Sequence, residues 1–144
     1  MSTRVILTFC ILFASCLAVQ AVQDSANEKD KKALQGKWEV VSVATDGKQE
    51  KADKKVTATF EAGTLKFDPK SRDFSEFSFT LDASKTPKAL DLKRKGDSNV
   101  GIYELKGDDL KICLTQLEPV DKNRPKEFAG SKDTILIVLK RVKN

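Results

Sequence analysis

From Gly36 onward, turn-forming dipeptides interrupt short β-rich runs about every 8–15 residues. That spacing belongs to an all-β barrel or sandwich, since βαβ units need a helical stretch between successive strands. Asp46-Gly47, Ala62-Gly63, Asp68-Pro69, Gly96 and Gly107-Asp108 mark the turns. They divide the chain into strands over 37–45, 55–61, 64–68, 74–81, 89–93, 100–105, 110–115 and 134–142. The alternation is clean where it can be checked. Phe77, Phe79 and Leu81 oppose Ser78 and Thr80, and Leu110, Ile112 and Leu114 oppose Lys111, Cys113 and Thr115. Period-two alternation is the mark of a strand with one face buried.

Eight antiparallel strands with one apolar face each can close on themselves, which removes the edges that invite aggregation. The predicted fold is therefore all-β: a single antiparallel up-and-down β-barrel of about eight strands, preceded by a short helix near 25–34. At eight strands the interior is just wide enough to be filled by side chains or to hold one small ligand. Phe60, Phe67, Phe74, Phe77, Phe79, Tyr103 and Phe128 suit either use. Composition leaves the two open.

The N-terminus has the build of an export signal. One positive charge at Arg4 precedes the apolar stretch 5–19, and Val19-Gln20-Ala21 offers a small-residue cleavage site before Val22. The apolar run stops short of the about 20 residues that a membrane span takes. Phe13-Ala14-Ser15-Cys16 also approaches a bacterial lipobox, so lipid anchoring through Cys16 is the alternative to a free secreted or periplasmic protein. The domain reading is a signal peptide over 1–21, a polar segment over 22–33 and the barrel domain over 34–144. Cleavage removes Cys10 and Cys16 and leaves Cys113, which cannot form an internal disulfide. The barrel must then stand on packing alone.

Much catalytic chemistry is excluded at once. The chain has no histidine, so the commonest general base, the commonest zinc ligand and every Ser-His or Cys-His pairing are missing. Cys113 sits mid-strand with no activating neighbour in sequence, which favours an inert, packed thiol. Asp108-Asp109 follows a turn glycine, and no spaced acidic loop of the calcium-binding kind is present. No metal, cofactor or catalytic residue is expected, and the protein is not read as an enzyme. The +5 formal charge is spread as short lysine groups with acids close by. Nucleic-acid binding would call for one dense basic stripe with interleaved aromatics. The segment 116–133, with Pro119, Pro125 and Gly130, is long for a loop in a compact domain: it is either a lid or loose chain.

The segment 34–42, with Gly36 two residues ahead of the only tryptophan, Trp38, is followed in order by five further blocks. These are 85–92, 101–105, 109–113, 124–128 and 138–141. Together they resemble an uncharacterised secreted lipocalin-like domain family first catalogued in planctomycetes. The resemblance implies a lipocalin-like barrel outside the cytoplasm and carries no established activity. It also implies that Gly36, Trp38 and Arg141 form a structural signature, the arginine packing across the tryptophan at the closed end. The loop after the first strand, here 46–54, would lie over the open end. Lys48, Lys51 and Lys54 would then meet the head group of an amphiphile whose tail lies among Phe77, Phe79, Leu90, Leu92 and Ile112.

The functional expectation is a secreted, non-catalytic, monomeric binding module. Its partner would be a small apolar or amphiphilic ligand, or, for a solid barrel, an envelope macromolecule. N-terminal sequencing of the exported protein should begin at or near Val22; a chain starting at a modified Cys16 would mean a lipoprotein, and an intact Met1 in the cytosol would overturn both.

Overall fold

Residues 22–52, 55–68, 76–116 and 123–143 are described by a computed structural model. Among them the chain forms a helix, α1 (22–34), and nine strands. These are β1 (Gly36–Thr45), β2 (Lys48–Lys51), β3 (Thr57–Glu61), β4 (Thr64–Asp68) and β5 (Glu76–Asp82). They continue with β6 (Lys88–Arg94), β7 (Asp97–Lys106), β8 (Asp109–Thr115) and β9 (Thr134–Arg141). Every neighbouring pair is antiparallel, and β1 pairs with β9 as well as β3, so the sheet closes. Eight strands make the barrel and β2 is an extra strand beside β1. This is an up-and-down, lipocalin-like all-β barrel with one short helix.

Each expected strand has its counterpart, with one addition and one extension; β3 begins at Thr57 rather than Lys55, and Phe74, the expected start of β5, lies outside the described residues. The stretch after the first strand is not a loop throughout: Lys48–Lys51 folds back on β1, with Thr45 opposite Lys48 and Ser42 opposite Lys51. Asp46 and Gly47, both at positive φ, form the two-residue turn that makes this possible. β7 starts at Asp97 rather than Val100, because Lys95 and Gly96 make a turn of the same kind. β1 serves two partners in succession, β3 at its beginning and β2 at its end. A bulge between Val40 and Ser42 marks the change. It leaves Val41 exposed and brings Val43, opposite Ile137, into contact with the core. Strict alternation would have placed Ser42 there instead.

One end of the barrel is solid. Trp38 has no exposed surface and donates from Nε1 to the Leu34 carbonyl at 2.9 Å. Arg141, its direct neighbour across the β1–β9 pair, lies over the indole with its guanidinium carbon 4.1 Å from the ring centroid. The same guanidinium donates to the carbonyls of Ala33 and Gln35. It thus satisfies acceptors at the helix C-terminus and places a cation at the negative end of the helix dipole. Gly36, at φ 111°, turns the chain from the helix into β1 in a conformation that side chains rarely adopt.

The helix docks mainly through polar groups. Gln23 donates to Asp82, and Asn27 accepts from the Ala83 amide at 2.8 Å. Asp30, buried, accepts from the Tyr103 hydroxyl at 2.6 Å and the Lys88 ammonium at 2.7 Å. Burial opposes the Asp30 charge, but the hydrogen bonds from Lys88 and Tyr103 outweigh it and hold the carboxyl below its ordinary range. Burial, reinforced by the Asp30 bond, pushes the Tyr103 hydroxyl far up.

Trp38→Ala is expected to cost about 3–5 kcal/mol, the usual range for a buried large aromatic; a melting temperature within a couple of degrees of wild type would show that this end does not depend on it. Because the native Asp30 carboxyl is depressed, its stabilisation is complete above about pH 4, the unfolded carboxylate range, and disappears as pH falls through the lower native value. Acid titration of the folded fraction should therefore be shallower below about pH 4 in Asp30→Asn than in wild type, from a lower starting stability at neutral pH.

Candidate functional site: the barrel mouth

The barrel interior divides into two halves. Around Trp38 it is filled: Phe60 and Phe79 meet edge to face at 5.4 Å, with Leu65, Leu90, Leu110, Ile112 and Leu139 all buried beside them in one cluster. Toward the other end lies a cavity of about 250 Å³. Its apolar wall is Phe67, Phe77, Leu92, Leu114, Ile135 and Ile137; Arg94, Asp97, Asn99, Thr115 and Gln116 supply the polar part. These come from the strand ends opposite the helix: the close of β4, β6 and β8, and the start of β5, β7 and β9. This is the barrel mouth.

The wall is rigid for identifiable reasons. Phe67 and Phe77 pack edge to face at 6.3 Å, and the Arg94 guanidinium stands 5.6 Å from the Phe77 centroid. Asn99 donates to the Thr115 carbonyl, and the Thr115 hydroxyl donates to the Val100 carbonyl, tying β7 to β8 at the rim. Gln116 donates to the carbonyls of Ser131 and Thr134, which fixes the rim to the start of β9. The chemistry on offer is a shallow apolar hollow with a cation, a carboxylate and neutral hydrogen-bonding groups at its lip. Among its described lining residues none pairs a nucleophile with a base.

Of the tail-binding residues expected from sequence, Phe77 and Leu92 line the cavity. Phe79, Leu90 and Ile112 lie in the filled core. Lys48 and Lys51 are exposed on β2, away from the cavity lining, and Lys54 falls outside the described residues. The rim cation is Arg94. Sequence reasoning passed over it because Lys93, Arg94 and Lys95 read as one solvated run. β6 runs on to Arg94, and the two-residue period that faces Leu90 and Leu92 inward carries it to the interior.

The described part of the long connection, 123–133, is neither lid nor loose chain. It straps the outer wall. Arg124 makes a two-pronged ion pair with Asp91 and donates to the Gly101 carbonyl. Gly130 lies so close to Ala44 that a Cβ would collide with its carbonyl. The amides of Asp46 and Gly47 donate to Ser131 and Gly130. Beneath the strap, Ala89, Ile102 and Cys113 stand in register as a buried row on the outer face. Burial pushes the Cys113 thiol above its usual range, and its Sγ meets the Ala129 carbonyl at 3.4 Å. A thiol so placed is inert. Asp108, in the turn, is ion-paired with Lys143 and Arg141, a structural task.

Among the described residues no cluster of potential metal ligands occurs, and no helix is long and apolar enough to cross a membrane. No protein-family model, curated protein or solved structure matches the chain.

Proposed function

We propose that this protein is a secreted, non-catalytic binding module that holds a small amphiphile in the barrel mouth. The observation that carries the reading is the cavity of about 250 Å³, with six apolar residues as walls and Arg94, Asp97, Asn99, Thr115 and Gln116 at the lip. An apolar hollow with a few convergent polar groups is the usual form of a small-molecule site. Its volume lies below the about 300–1,000 Å³ of drug-sized pockets. A compact ligand or a short acyl chain fits; a long chain would meet the packed ring of Phe79 and Phe60. An acidic head group suits Arg94, with the tail against Phe77, Leu92 and Leu114. Export is supported by the sequence of residues 1–21.

The filled half around Trp38 favours a second reading, in which the barrel is a solid scaffold for an envelope partner. Titration with fluorescent acyl carboxylates of graded length separates the two. The mouth reading expects saturable one-to-one binding that peaks at short or medium chains. Leu114→Trp, which fills the hollow, should abolish it, whereas Lys48→Glu with Lys51→Glu should leave it nearly unchanged. Absence of binding by folded, ligand-free protein would favour the scaffold.

A further inference from the structure

The strap forms one side of a second depression, on the outside of the barrel. Between it and the turn over 83–87 runs an open groove of about 1050 Å³, with Pro87, Pro125 and Ala129 as its apolar surface above the buried Ile102. The groove shares Lys85, Thr86 and Pro87 with a hollow of about 320 Å³ that lies against Tyr103, Leu105 and Phe128. It has no residue in common with the mouth cavity.

Both sides of this groove are anchored. The Arg124 pair with Asp91 holds the strap. On the other side Asn27 holds the Ala83 amide, Asp82 accepts from Ser84, and Lys88 is bound to Asp30. Between the anchors, however, Lys85 and Thr86 on one side and Lys126, Glu127 and Phe128 on the other take part in no hydrogen bond among the described residues. In the free protein water serves these exposed groups. Their backbone donors and acceptors remain open to a ligand, on supports that need no reordering.

The charges give the ligand its sign. Among the described residues Lys85 and Lys126 make no ion pair, although Lys85 acts through space on Asp82. Arg124 and Lys88 are committed to Asp91 and Asp30, and Glu104 is held by Lys106 and Lys111. Among the described residues Glu127 is the one opposing carboxylate in the groove lining, and their uncommitted balance is positive. Unpaired main-chain groups on two held edges, with an apolar surface between them, suit an extended chain whose backbone gives affinity and whose side chains give selectivity. We propose that this outer groove binds an extended acidic peptide segment of a partner protein.

The test uses a fluorescein-labelled nonapeptide alternating Asp and Val, its Lys/Val counterpart, and inorganic polyphosphate as competitor, followed by anisotropy with the full secreted chain. Saturable binding of the acidic peptide alone is expected. It should weaken about tenfold in Lys85→Glu/Lys126→Glu, a change to two exposed charges that leaves the melting temperature in place. Leu114→Trp should not affect it, so failure of the mouth reading leaves this one standing and the converse holds. Equal binding of the basic peptide, full affinity in the charge-reversed variant, or no binding would overturn the proposal. Displacement by polyphosphate at equal charge concentration would also overturn it, by showing that charge alone and not a peptide backbone is recognised.

Discussion

A tryptophan without exposed surface, covered by an arginine from the far end of the chain, holds this barrel shut. Trp38 and Arg141 are partners in the β1–β9 pair, the pair that turns a meandering sheet into a closed one. Their contact joins the third element as well, because both side chains hydrogen-bond to carbonyls at the end of α1. A cation over an indole contributes about 0.5–2 kcal/mol. Its larger consequence is topological, since first strand, last strand and helix meet at one point. Among the described residues Cys113 is a free thiol, so packing and hydrogen bonding at this point do the joining without a covalent staple.

Closing one end so firmly leaves the other free to differ. Around Trp38 the inward side chains are large and meet across the barrel; toward the mouth they no longer do, and a hollow remains. The outer wall shows a similar division. Most of it is charged and exposed, with cross-strand partners such as Glu39 beside Lys140 and Lys140 beside Asp109. Under the strap it is apolar, and Ala89, Ile102 and Cys113 form a second, thin layer of packing. The strap reaches from the mouth to the outer wall: it is bonded to Gln116 at the mouth and to the β1–β2 turn, and its Arg124 reaches Asp91 on the outer wall.

Much of the fold was legible in the turn chemistry. Asp46-Gly47, Ala62-Gly63 and Gly107-Asp108 are turns in the structure, with positive φ at Asp46, Gly47, Ala62, Gly63 and Gly107, and the alternating runs between them are strands. The helix was legible as a helix, near 25–34, but the face by which it docks was not. Its docking face is Gln23, Asn27 and Asp30, residues that hydropathy assigns to solvent and that here find partners far away in sequence. The mouth was half legible. Phe77 and Leu92 lie on it, but Phe79, Leu90 and Ile112 share their inward orientation and end in solid core. Alternation reports which face a residue takes and not its depth along the barrel.

The sequence by itself determined the eight strands of the barrel, the turns at Asp46-Gly47, Ala62-Gly63 and Gly107-Asp108 and the inward side of nearly every strand, because these follow from local backbone preference and a two-residue period. It also determined the absence of histidine chemistry. Only the tertiary structure decided that Lys48–Lys51 folds back as a strand and that a bulge at Val41 reverses the phase of β1. It alone placed Arg94 at the mouth and laid 123–133 along the wall. These outcomes rest on pairing between residues distant in the chain, where the register of a neighbouring strand sets which side chain faces inward.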